Sequence, residues 1–168
     1  MDAYSELKSK IGKLRVAFNK EGITMICPAR GSRKEFESVY RERFGTRVCI
    51  RDLPKSFSRA VTEAVAGRSF DPVPLALGGV TAFQRRVLKI LQKVPRGQVR
   101  TYSWLARKAG RPGAARAVGN AMALNPIPFL IPCHRIVPAA GGVGNYGLGS
   151  ALKRELLERE GVNLDLLG

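Results

Sequence analysis

Residues 67–80 read Gly-Arg-Ser-Phe-Asp-Pro-Val-Pro-Leu-Ala-Leu-Gly-Gly-Val, and this stretch does most to limit what the chain can fold into. Glycine and proline at that density interrupt helices and strand ladders alike. The chain is therefore expected as two units, residues 1–76 and 80–168. In the first, residues 12–18 alternate apolar and polar with period two. Asn19-Lys20-Glu21-Gly22 has turn chemistry, and residues 23–27 resume the strand. Ser32 and Glu35, at capping-box spacing, start a helix that reaches Phe44. Residues 47–51 read as a third strand and 55–66 as a second helix ended by Gly67. Hairpin, helix, strand, helix predicts a small α/β layer, in which no residue has active-site character. There is no internal repeat and no low-complexity tract.

The second unit reads as mostly helical. Thr81 is placed to cap a helix over 82–93, with Phe83, Val87, Leu88 and Leu91 on one face. Pro95-Arg96-Gly97 ends it. Ser103 is expected to cap a short helix over 104–109, and Gly110-Arg111-Pro112-Gly113 turns the chain into another over 114–124. Two short helices around a glycine-containing turn have the shape of a helix-turn-helix. The second is small-sided, with Ala114, Ala115, Ala117, Gly119, Ala121 and Ala123 around a solitary Arg116. Such a surface suits close approach to a DNA groove, or equally close packing of helix on helix. Ser150 is expected to cap a final helix that carries Lys153, Glu155 and Glu160.

Charge is segregated along the chain. It has 29 Lys+Arg against 13 Asp+Glu, a net charge of +16. Between Asp71 and Glu155 there is no acidic residue at all. A surface of that kind gathers polyanions and releases counterions from phosphates. The expected partner is double-stranded DNA. No segment approaches the roughly 20 apolar residues that span a bilayer, and no N-terminal signal pattern is present. The expectation is a monomer off the membrane, in a reducing cytoplasm (nucleoid-associated in a prokaryote, nuclear in a eukaryote). Three cysteines, one histidine and no Cys-x-x-Cys argue against a zinc site, and no cofactor is expected. Cys27 and Cys49 fall in strand-like runs and read as core thiols; a disulfide between them is left open.

Asn125-Pro126-Ile127-Pro128 stops the small-sided helix and leads to Ile-Pro-Cys-His-Arg-Ile-Val at 131–137. Cys133 and His134, the chain's one histidine, are adjacent. A thiol is a strong nucleophile only as thiolate, and a neighbouring imidazole or cation promotes that ionisation. The glycine-rich residues 141–149 match neither a phosphate loop nor a dinucleotide fingerprint. They read as a close-fitting pocket wall.

Together these residues resemble the O6-alkylguanine-DNA alkyltransferases, the methylated-DNA–protein-cysteine methyltransferases. The resemblance covers residues 81–161. It rests on Pro-Cys-His-Arg at 132–135, Ala-Arg-Ala-Val-Gly at 115–119, Asn125-Pro126, Thr101-Tyr102 and Gly-Asn-Tyr-Gly at 144–147. Residues 1–75 resemble the family's ribonuclease-H-like N-terminal domain only in size and hairpin opening. The resemblance implies repair of O6-alkylguanine, and of O4-alkylthymine, by irreversible transfer of the alkyl group to Cys133 after base flipping. His134 would act as base through a bound water, and Glu160 would orient it. Arg116 would fill the gap in the DNA stack, and Tyr102 would rotate the nucleotide and donate to the base. Asn125 would be the hinge. By the same resemblance Ala115, Ala117, Asn120, Thr101 and Arg135 would lie against DNA. Pro128, Ile136, Val143, Asn145, Tyr146, Gly147 and Lys153 would form the pocket. Asn120 and Gly147 depart from residues common in the family. A non-catalytic helix-turn-helix protein or damage sensor, and a cysteine hydrolase, stand as the other readings.

Overall fold

The computed structural model describes residues 1–168. It begins with a three-strand antiparallel meander, β1 (Asp2–Ser9), β2 (Gly12–Asn19) and β3 (Gly22–Pro28). Then come α1 (Arg33–Phe44), β4 (Val48–Ile50) and α2 (Lys55–Val65). The sheet order is β3-β2-β1-β4, with β4 parallel to β1. The sequence pattern misses β1. Asp2–Ser9 does not alternate, because Ala3 and Tyr4 are both buried although they point to opposite sides. Its strand state comes from pairing along its length with β2, Ala3 opposite Phe18 through Ser9 opposite Gly12.

The capping box of α1 is formed. Glu35 donates its backbone N–H to Ser32 Oγ at 3.2 Å, and its carboxylate accepts from Ser32 N at 2.6 Å. Phe36 and Tyr40 pack this helix on Tyr4, Ala17 and Val48. Leu14, Val16, Ile23 and Ile26 on the opposite sheet face join Ala60, Val61, Ala64 and Val65 of α2.

The remainder carries helices joined by turns and irregular chain, with a two-strand parallel pair, β5 (Arg100–Thr101) and β6 (Ile136–Val137). The helices are α3 (Ala82–Leu91), α4 (Tyr102–Lys108), α5 (Ala115–Ala123) and α6 (Ser150–Arg159). Two expected caps are corrected. Thr101, not Ser103, caps α4, because its hydroxyl accepts the Trp104 N–H at 3.1 Å. Gly149 precedes α6, and Ser150 is already helical. Thr81 does cap α3, in a box with Gln84.

A single core of 23 buried residues runs from β2, β3 and α2 through Val87, Leu88 and Leu91 to Phe129, Ile131 and Ile136. Each fully buried Leu or Ile contributes about 1.5–3 kcal/mol over exposure. The linker is stitched to the free edge of β3. Ile23 N donates to Pro74 O and Ala76 N to Ile23 O, which leaves that edge covered. Gly22 (φ 140°) permits this approach, because a Cβ there would lie 2.2 Å from Pro74 O. Arg96 donates to the Gly67 carbonyl and Arg159 to that of Val65, at the end of α2.

Candidate active site

After α5 the chain turns through residues 125–131 before Cys133 opens a short 3-10 turn, Cys133–Arg135. Phe129 holds a left-handed φ of 72°, strain on the order of 1–3 kcal/mol that its burial in the core supports. Asn125 organises this turn. Its Oδ1 accepts from Ile127 N at 2.9 Å, and its Nδ2 donates to Ile131 O at 3.0 Å and to Cys133 Sγ at 3.3 Å. A donor on the sulfur favours the thiolate over the thiol.

Behind Cys133 lies a buried charged network. His134 is 1% exposed and Glu160 5%. His134 Nε2 is 2.9 Å from Glu160 Oε1. The same carboxylate accepts from Arg135 Nε at 2.9 Å and Nη2 at 2.8 Å, and Arg135 Nη1 donates to Val94 O at 2.7 Å. Burial alone would raise the Glu160 pKa; the bonds from His134 and Arg135 overturn it and hold the carboxyl at about 2. Burial lowers the pKa of His134 despite Glu160, so the ring rests neutral. A carboxylate only accepts, so the proton sits on Nε2 and Nδ1 carries the free lone pair. Nδ1 is buried with no hydrogen-bond partner in the protein.

Burial pushes the Cys133 thiol up, against the Asn125 bond and the Lys153 charge. The resting group is a thiol that needs a base. Lys153 is buried and donates to Ile136 O at 2.6 Å and Asn145 O at 3.2 Å. Its burial lowers its pKa to about 8. Burial raises the phenols of Tyr102 and Tyr146, and a thiolate at Cys133 raises them further. Both therefore remain O–H donors, and the Tyr146 hydroxyl has no partner.

Cys133 lines a cavity of about 490 Å³. Of the expected pocket residues, Pro128, Asn145, Tyr146 and Gly147 line it, and so do Tyr102 and Asn125. Three expected pocket residues lie behind it. Ile136 is fully buried, and Lys153 bonds to its carbonyl. Lys153 itself braces the wall through Asn145. Val143 packs with Val137 and Leu157 in a separate small cluster, because the glycine-rich loop folds away from the cavity there. Gly144 also faces away, where a Cβ would lie 2.7 Å from the Pro138 ring.

Arg116 and Asn120 are exposed on α5, with Ala115 and Ala117 half-buried beside them. Two residues expected against DNA are engaged elsewhere. Arg135 turns inward to Glu160 and Val94, since a buried carboxylate demands a partner. Thr101 uses its hydroxyl for the α4 cap. The sequence also missed a wall: Met25, Ile26 and Cys27 of β3 and Arg43 of α1 line the cavity. No local signal marks them, because they reach Cys133 only through tertiary packing. Cys27 and Cys49 are both free thiols. No helix is long and apolar enough to cross a membrane.

The family model described as 6-O-methylguanine DNA methyltransferase, DNA binding domain, matches residues 82–162. The methylated-DNA–protein-cysteine methyltransferase of Methanothermobacter thermautotrophicus is 36% identical over 150 residues, 89% of this chain and 80% of that protein. The protein of the same name from Methanosarcina acetivorans is 35% identical over 94% of this chain and 97% of its own. Among solved structures, Mycobacterium tuberculosis OGT in complex with DNA superposes with a TM-score of 0.78, at 34% identity over 98% of both chains. The O6-methylguanine-DNA methyltransferase of Pyrococcus kodakaraensis superposes at 0.69, with 29% identity over 96% of this chain and 100% of that one.

Proposed function

This chain belongs to the methylated-DNA–protein-cysteine methyltransferase family, and from that premise we propose how its own residues carry out direct reversal of DNA alkylation. Residues 80–168 are the DNA-binding and transfer unit, and residues 1–76 a ribonuclease-H-like layer that supports it. Helices α4 and α5 act as a helix-turn-helix. Ala115, Ala117 and Asn120 meet the groove, and the basic surface supplies sequence-independent affinity.

An O6-alkylguanine, or an O4-alkylthymine, leaves the duplex and enters the cavity. Extrusion costs a few kcal/mol, which Arg116 partly offsets by filling the stack. Tyr102 donates a hydrogen bond to the base, and the Gly147 backbone N–H faces the oxygen that will carry charge. His134 Nδ1, which has no partner in the protein, takes the proton of Cys133 through a bound water. The sulfur attacks the alkyl carbon; the S–C bond forms as the C–O bond breaks, and the electron pair stays on the base oxygen. The base regains a proton from the imidazolium or from solvent. Glu160 and Arg135 hold the imidazole in the required tautomer. A thioether has no onward hydrolysis route, so each molecule acts once. The protein works as a monomer on DNA containing alkylated guanine, in the cytoplasm of a prokaryote or the nucleus of a eukaryote.

One observation carries this reading. A cysteine lining a base-sized cavity receives an Asn125 bond on its sulfur, and the adjacent histidine is locked to a buried carboxylate. The test is intact mass after incubation with a duplex that contains O6-methylguanine. The expected result is one methyl per chain, on Cys133, without turnover. No mass gain supports a non-catalytic reader of DNA, and repeated turnover supports a hydrolase.

A further inference from the structure

Asn125 is gripped from both sides by the sheet layer. The carbonyl before it, Leu124 O, accepts from Arg43 Nη2 at 2.5 Å. The carbonyl after it, Pro126 O, accepts from Ile26 N at 2.8 Å. Leu124 is the C-terminal cap residue of α5, where backbone carbonyls lack helical partners and a cation is favoured. Arg43 supplies that cation from the last turn of α1. Its guanidinium also lies 5.6 Å from the Phe44 ring centroid, and it makes no ion pair that would draw it elsewhere. Ile26 sits on β3, whose outer edge is already paired with the linker at Ile23. The sheet therefore sets where both carbonyls stand, and so where the amide between them points. That amide is the one that donates to Cys133 Sγ.

We propose that Arg43 is a positioning residue for alkyl transfer: by capping α5 at Leu124 it holds the Asn125 amide on the Cys133 sulfur. The inference rests on the reading of Cys133 as the nucleophile. It assigns the sheet layer a part in the chemistry through one surface arginine, 90 residues before the cysteine in the chain. A tilt of α5 at its C-terminus moves Asn125 off the sulfur and weakens the bond that favours the thiolate. The attack then slows although DNA still binds.

The experiment measures single-turnover methyl transfer with O6-methylguanine duplex in excess, across a pH series. It compares the wild type, Arg43→Met, which keeps the stem and loses the donors, and Arg43→Lys. For Arg43→Met the saturating rate should fall roughly threefold to tenfold, the size of one hydrogen bond. The apparent thiol pKa should rise, with the half-saturating duplex concentration within about twofold of wild type. Arg43→Lys should recover at least part of the rate. In an Asn125→Ala background, Arg43→Met should add no further loss. An unchanged rate and pH profile would overturn the proposal. So would a loss confined to the half-saturating concentration, which marks a phosphate contact, or losses at positions 43 and 125 that multiply. If Asn125→Ala does not fold, the pH profile of Arg43→Met decides alone. A wild-type chain that gains no methyl group defeats the nucleophile reading instead, and this inference with it.

Discussion

His134 Nε2 stands 2.9 Å from Glu160 Oε1, and both groups are all but sealed from solvent. This pairing sets which ring nitrogen carries the proton. It leaves Nδ1 as the acceptor, on the side that has no protein partner.

Glu160→Gln should therefore cripple transfer. The amide can donate to Nε2, which moves the ring proton to Nδ1 and removes the base. By analogy with carboxylate-to-amide changes in catalytic triads, the loss is about 10²–10⁴-fold. Arg135 also loses its charged partner, so stability should fall by about 3 kcal/mol or more. Stopped single-turnover assays on the folded fraction, paired with thermal unfolding, separate the two effects. A rate within about threefold of wild type would remove Glu160 from the mechanism.

Glu160 predicts an acid limit for the fold. Its folded pKa, about 2, is below the ordinary carboxyl value of 4.5. The stabilisation is thus fully present above pH 4.5 and is lost as pH falls through about 2. A shift of that size amounts to roughly 3 kcal/mol. Denaturant melts between about pH 5 and pH 2 should show this loss in the wild type and a shallower one in Glu160→Gln. Identical slopes in the two proteins would contradict the assignment.

Cys133→Ala should abolish alkyl uptake and leave duplex affinity within about twofold, since the thiol makes no phosphate contact. Affinity itself should fall steeply with salt. Peptide mapping of the alkylated wild type checks the nucleophile directly. An adduct on Cys27, which lines the same cavity, would displace Cys133 from that role.

Arg116 is exposed on a small-sided helix. Arg116→Ala should slow repair of duplex far more than reaction with free O6-benzylguanine, because the free base needs no extrusion. Tyr102→Phe should slow both by about tenfold or less, the size of one missing hydrogen bond. Equal losses on both substrates for Arg116→Ala would end its role in the DNA stack.

Met25 brings an apolar wall from the sheet to a cavity of about 490 Å³, more room than a methyl group uses. Met25→Trp fills that side. Transfer from O6-benzylguanine in duplex DNA should fall by about tenfold or more, the scale on which overpacking a pocket excludes a bulky group. Methyl transfer should change by less than about threefold. If both rates fall together, the β3 wall does not set the size of the alkyl group.

Much of this protein was legible along the chain. The capping box at Ser32, the cap at Thr81, the break at 67–80, the small-sided α5 and the Cys133–His134 pair depend only on residues close by in the chain. Short-range spacing carries such features whatever the rest of the chain does. What escaped had its partners far off. Strand β1 lacks an alternating pattern because Ala3 is buried along with Tyr4 in the assembled sheet. Arg135 looks like a free cation beside a nucleophile until folding brings Glu160, 25 residues on, into bonding range. Val143 sits in a pocket motif yet packs behind the pocket, because glycines let the loop turn away. Met25, Cys27 and Arg43 carry no mark of an active site, and reach one only because the free edge of β3 and the end of α1 close over the turn at Asn125. The amino-acid sequence by itself determined which groups could react. Tertiary structure decided which of them are buried, paired and aimed, because burial and pairing are set by groups the chain brings together only when it folds.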